Sequence, residues 1–195
     1  MHRYPLYCLL VAGLMLTACS SVPTVPDAKF SAKARTQLVL PEQWSFAGRL
    51  AITGAKDAWQ ASISWAHRPD DEQIQLAGPL GQGATRIALS KEQVVIDSGA
   101  GRRQSSTQVE AFINQQLGMF VPVRSLRFWV TGMPAPSATF LVTDAGFTQN
   151  GWLVEYPQMQ SVGAQLMPRK MTVSNPQVKL KLIINEWDFN ATNTH

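Results

Sequence analysis

Cysteine and histidine are nearly missing from this 195-residue chain. Its two cysteines, Cys8 and Cys19, both stand near the start, so the rest of the chain can hold neither a disulfide framework nor a cysteine metal site. The three histidines, His2, His67 and His195, are widely separated, and no two have metal-ligand spacing. Charge is sparse as well: 15% of residues, against roughly 25% in an average globular domain. No Gly-x-Ser-x-Gly or Ser-x-x-Lys setting occurs, so the chain offers no activated nucleophile and is not expected to be an enzyme. No long apolar run follows the first one, which excludes a polytopic helical membrane protein. The basic residues Arg102-Arg103, Arg124, Arg127, Arg169-Lys170, Lys179 and Lys181 are spread over the chain without a stripe. Nucleic acid is therefore not an expected partner, whereas anionic headgroups or an acidic surface are. What is present is a 45% apolar fraction and a mean hydropathy of −0.06, the stock of one packed domain.

The first segment is an address. Arg3 supplies a short positive region, and Leu6 to Leu16 is an apolar stretch of signal-peptide length. Leu16-Thr17-Ala18-Cys19 then resembles the lipobox of bacterial lipoproteins, in which the cysteine thiol receives a diacylglyceryl group and the new amine is acylated. The expected division is a signal peptide over 1–18, a lipidated Cys19 and flexible tether over 19–26, and a single domain over 27–195. The alternative is an ordinary cleaved signal with an incidental cysteine. The covalent lipid on Cys19 is the one group expected; no other cofactor is. More than one acyl chain gives stable attachment, since each buried CH₂ contributes about 0.8 kcal/mol and a single chain is marginal. Ser20 in place of Asp after the cysteine points, by resemblance to the enteric sorting rule, to the outer membrane.

Asp27 can cap a short helix carrying Phe30, Ala34 and Leu38. From Trp44 the apolar period becomes two: Trp44, Phe46, Gly48, Leu50 and Ile52, then Trp59, Ala61, Ile63 and Trp65, alternate with polar or small residues, as in half-buried antiparallel strands. Gly54 to Asp57 joins them as a hairpin, and 73–77, 84–89 and 93–97 continue a meander broken by turns at 78–83 and 99–101. Thr107-Gln108-Val109-Glu110 has the form of a capping box, opening a helix with Val109, Phe112, Ile113 and Leu117 on one stripe and Gly118 at its end. Pro122 suits the first turn of a second helix with Val123, Leu126, Trp129 and Val130, which Gly132 and Pro134 stop. Strands return at 139–143, at Trp152, Val154 and Tyr156 after the Asn150-Gly151 turn, at 170–174, and at Val178, Leu180, Leu182 and Ile184.

Strands, two helices and strands again in one chain predict a single curved antiparallel sheet with helices on one face. Six Trp and seven Met supply broad apolar walls, and either a filled core or a cavity satisfies that composition. Asp70-Asp71-Glu72 reads as a solvated acidic turn. In Gly78-Pro79-Leu80-Gly81-Gln82-Gly83 a large aliphatic residue occupies a turn that ordinarily takes polar side chains. Leu80 either folds back onto the core or projects as an apolar finger.

Six motifs occur in one order: the lipobox, Trp44 to Leu50 (WSFAGRL), Ile74 to Gly81 (IQLAGPLG), Trp129 to Pro134 (WVTGMP), Gly151 to Tyr156 (GWLVEY) and Lys181 to Trp187 (KLIINEW). Together they closely resemble the LolB family of Gram-negative outer-membrane lipoprotein receptors, over essentially the whole chain after the signal. The resemblance implies a mainly β fold with some helix: an incomplete, half-open antiparallel β-barrel of about ten or eleven strands, covered by short helices around an apolar cavity. It implies a protein that accepts lipoproteins from the soluble carrier LolA and inserts them into the outer membrane, with lipoprotein acyl chains and outer-membrane phospholipid as its other contacts. A monomer is expected. The family's membrane-inserting loop leucine falls on Leu80, between Gly78, Pro79 and Gly81. Trp44, Phe46, Trp59, Trp129 and Trp152 are the candidate walls of the acyl cavity. The other function classes left open are a carrier of free lipid or fatty acid with the same shape, and a structural lipoprotein with a filled core.

Overall fold

The computed structural model describes residues 29–35, 38–55, 57–78, 83–99, 101–136 and 138–189. The expected signal, Cys19, its tether and Asp27 lie outside them, as do Pro79, Leu80 and Gly81. A helical turn, α1 (Ala32–Arg35), precedes β1 (Trp44–Thr53), β2 (Ala58–His67), β3 (Asp71–Ala77), β4 (Thr85–Ser90), β5 (Val94–Asp97) and β6 (Arg103–Ser106). Helices α2 (Val109–Leu117) and α3 (Val123–Trp129) follow, then β7 (Phe140–Thr143), β8 (Gly146–Gln149), β9 (Trp152–Val162), β10 (Gln165–Ser174) and β11 (Lys179–Asp188).

All eleven strands form one antiparallel sheet in the order β6-β5-β4-β3-β2-β1-β11-β10-β9-β8-β7. The chain starts in the middle and meanders to one edge. It crosses through α2 and α3 to the other edge, and returns to pair β11 with β1. Because the helices bridge β6 and β7, which do not pair with each other, the sheet is a barrel left open along one side.

Period-two patterning decides which face is covered. On β1, Trp44, Phe46, Leu50 and Ile52 are buried while Ala47 and Arg49 are exposed, and β11 does the same with Leu180, Leu182, Ile184 and Trp187. The buried sides meet Val109, Ile113, Val123, Leu126 and Trp129 of the two helices, so the core lies between the concave face and its helical cover. Gly48 sits where β1 slips register against β11. A Cβ there would stand 2.2 Å from the Ile183 carbonyl oxygen, so only glycine allows that approach.

Four details differ from the sequence reading. β6 (RQSS) is an edge strand with no apolar period, and β8 is a four-residue strand that the turn signal at Asn150 had hidden. Among the described residues the N-terminal helix is the turn α1. The capping box does not form: Ser106 Oγ accepts the Gln108 N–H (3.0 Å), which makes Gln108 the cap and moves the third helical position from Glu110 to Ala111. Glu110 instead accepts from the Arg124 backbone N–H at 3.4 Å, tying α2 to α3.

Candidate functional site

Under the helices is a cavity of about 60 Å³. Leu50 and Ile52 (β1), Ile63 and Trp65 (β2), Ile74 and Leu76 (β3), Ile87 (β4), and Leu180 and Leu182 (β11) form its floor. Ile113, Val121, Val123, Leu126 and Val130, from the helices and their flanks, form its roof. Trp59 completes the wall. Every one of these side chains is aliphatic or tryptophan, and such a space stays dry.

The cavity continues at one end into a cleft of about 550 Å³, where Trp59, Leu76, Ile87 and Ile113 also line the wall, now joined by Asp57, Gln60, Ser98 and Gln116. Gly78 and Gly83, which flank the loop carrying Leu80, stand on the rim of this cleft. Apolar interior, amphipathic vestibule and the two flanking glycines therefore share one end of the sheet.

The opposite end is packed with aromatic rings. Trp44 stacks against Phe46 (6.2 Å), His67 (4.9 Å) and, edge-on, Trp187 (5.7 Å), while Trp65 lies about 6 Å from both Trp44 and Phe46. Glu72 is buried beneath them, correcting the reading of Asp70-Asp71-Glu72 as a wholly solvated turn. Its carboxylate accepts the Trp65 indole N–H at 2.6 Å, lies 2.7 Å from His67 Nδ1, and is 3.9 Å from Arg127 of α3. Asp70 and Asp71 do face solvent, paired with Lys91 (2.9 Å) and Arg68 (3.4 Å). The Asp70 carboxylate raises the pKa of Lys91 through that hydrogen bond.

Of the five aromatic wall candidates, Trp59 lines the cavity, whereas Trp44 and Phe46 belong to the aromatic cluster at the other end. Trp129, the last residue of α3, packs against Trp152, their rings 6.4 Å apart. Trp129 donates its indole N–H to Gln149 (2.8 Å), and Trp152 stacks under Phe120 (6.2 Å). The cavity wall is mainly aliphatic, and the period-two pattern of β1 to β4 carried that signal. Nothing in the sequence marked Gln149, which is fully buried and also accepts from Ala135 N–H (2.9 Å) while donating to the Ala135 and Ala138 carbonyls (2.8 Å each). No cluster of three metal-ligating residues occurs among the described residues, and none of their helices is long and apolar enough to cross a membrane.

The sequence profile of the family described as "Outer membrane lipoprotein LolB" matches residues 42–187. Proteins named "Outer-membrane lipoprotein LolB" from Marinomonas sp. and Alkalilimnicola ehrlichii are 30% and 31% identical to this chain. The first alignment covers 94% of this chain and 97% of the relative, the second 92% and 96%. Among solved structures, a LolA superfamily protein from Nitrosomonas europaea aligns with a TM-score of 0.46 at 6% identity, covering 78% of this chain and 88% of that one.

Proposed function

This chain belongs to the LolB family of outer-membrane lipoproteins, and we propose that it receives lipoproteins from a LolA-like periplasmic carrier, shelters their acyl chains, and releases them into the outer membrane. It is an outer-membrane lipoprotein and not an enzyme; no bond is made or broken in the transfer. Cys19 carries the diacylglyceryl and N-acyl groups once residues 1–18 are removed, and 19–26 tether a single domain that works as a monomer.

The observation that carries this reading is the all-hydrocarbon wall leading into an amphipathic vestibule beside the Gly78–Gly83 turn. An acyl chain of about fifteen CH₂ groups costs on the order of 12 kcal/mol to leave in water, so a lipidated cargo must pass between apolar sheaths. A cavity of about 60 Å³ holds the volume of only about two water molecules. Cargo therefore enters by lifting α2 and α3 from the sheet, through the cleft that Trp59 and Leu76 share with the cavity. Leu80, flanked by Pro79, Gly78 and Gly81, dips into the bilayer and gives the chains a downhill exit.

The test mixes the protein with a carrier loaded with radiolabelled lipoprotein, then adds liposomes. Label should move from carrier to protein and on to the liposomes. Label that stays on the carrier, with the protein folded, contradicts the proposal.

A further inference from the structure

A second apolar depression, of about 340 Å³, lies along the open side of the sheet. Its walls are Phe30 and Leu38 of the N-terminal segment, Phe128 and Met133 at and after the end of α3, and Phe140 and Phe147 of the β7–β8 hairpin. No residue lines both this groove and the cavity under the helices. Strand β7 is an unpaired edge, and Phe140 and Val142 on this side remain 42% and 60% exposed.

One charged side chain interrupts the hydrocarbon. Arg35 is only 6% exposed, yet it lines the groove. Its Nη1 donates to the Thr131 carbonyl at 3.3 Å and its Nη2 to the Leu166 carbonyl, while Nε is buried with no partner. Among the described residues no carboxylate pairs with it. Its seat is shaped for it: Gly132 has φ +85°, and a Cβ there would press on Arg35 Cδ at 3.2 Å. Burial lowers the Arg35 pKa, as expected of a cation lacking a counter-charge. An unneutralised buried charge is costly, and a bare buried N–H is normally satisfied. An anion with hydrocarbon attached would satisfy both the guanidinium and the groove.

We propose that this groove binds a single acyl chain bearing an anionic head group, carboxylate or phosphate, with the head at the Arg35 guanidinium and the chain against Phe128, Met133, Phe140 and Phe147. Such a ligand neutralises Arg35, gives Nε–H an acceptor, and covers the exposed face of β7 in one event. Lipoprotein acyl groups, joined as esters and an amide, carry no such head. The groove thus takes a membrane lipid or a free fatty acid, and the inference stands whether or not the receptor proposal does.

The test uses the full chain on phosphatidylcholine vesicles with three photoreactive probes carrying the same diazirine-labelled chain: a fatty acid, a lysophosphatidate and the fatty acid methyl ester. Crosslinked peptides are mapped by mass spectrometry. The two anionic probes should label peptides spanning 128–147, with the methyl ester about tenfold weaker, as befits one lost charge-assisted contact. A difference between the two acids identifies which head group the site prefers. Arg35→Met should remove the preference for anionic probes. Val142→Glu, on an exposed edge position, should weaken labelling by both acids with the fold unchanged, and it decides the matter if Arg35→Met fails to fold. Equal labelling by acids and ester, labelling confined to the cavity under the helices, or no labelling overturns the proposal.

Discussion

Glu72 of β3 and Arg127 of α3 face one another at the aromatic end of the cavity, Oε1 to Nη1 at 3.9 Å, and the same carboxylate accepts the Trp65 indole N–H at 2.6 Å. One buried acid thus ties two strands to the helix that roofs the cavity. The two contacts differ in worth. Arg127 is 41% exposed, so the ion pair is screened, whereas the Trp65–Glu72 hydrogen bond is buried.

Glu72→Leu should therefore destabilise the fold by about 2 to 3 kcal/mol, by leaving a buried donor unpaired, and Arg127→Met by under about 1 kcal/mol. Urea unfolding midpoints of the two variants measure the difference. Equal losses would mean that the ion pair, not the indole bond, holds this end.

Gln149 joins Trp129 to the segment between α3 and β7 through four hydrogen bonds, three of them buried. Gln149→Leu keeps the volume and removes every partner, so a loss of about 3 kcal/mol or more is expected. The Trp129 environment should change with it, read as a shift in tryptophan emission. A variant of unchanged stability would show that water replaces the side chain.

Tyr156 is fully buried, stacks on Phe30 (4.7 Å) and donates to the Trp129 carbonyl at 2.7 Å. Burial holds its phenol well above the ordinary 10.0, an effect the nearby Arg35 only partly offsets. A raised folded pKa means stability that is whole below pH 10 and is lost as pH rises past 10, where the unfolded chain ionises first. Urea titrations from pH 8 to 11 should show that decline, and Tyr156→Phe should flatten it while costing about 1 kcal/mol at neutral pH for the lost hydrogen bond. A decline of the same slope in the variant would assign the effect elsewhere.

Much of this architecture could be read from spacing. Trp44 to Ile52, Trp59 to Trp65 and Leu180 to Ile184 alternate because one face meets a core and the other meets water, and the helical stripe ending at Gly118 carries a second period. One edge strand escaped: Arg103–Ser106 is polar and mostly exposed, so it carries no apolar period, and its pairing with β5 is a backbone matter. Buried polar residues escaped too. Glu72, Gln149 and Arg35 look like surface residues in sequence, and their partners, from Trp65 for Glu72 to Leu166 for Arg35, are brought to them only by the strand pairing and the fold. The large aromatics drew attention as cavity walls, yet broad rings pack best where the barrel end must be closed, and aliphatic side chains line the part that must yield.

Leu80→Glu should separate the two halves of the proposed transfer. Receipt of labelled lipoprotein from the carrier should be unchanged, and release into liposomes should fall by at least about tenfold, because a carboxylate resists entry into hydrocarbon. Loss of receipt with a normal fold would assign Leu80 to cargo binding instead.

The central claim is that acyl chains occupy the space between α2–α3 and the sheet, which holds about 60 Å³ when empty and must widen to take them. The direct measurement is an electron-spin distance between labels at Gln115 of α2 and Gln75 of β3, both exposed and away from the cavity wall, before and after cargo is supplied by a loaded carrier. The account predicts that the distance lengthens by several ångströms on loading and returns when liposomes remove the cargo. A distance that stays fixed while cargo is bound would contradict it.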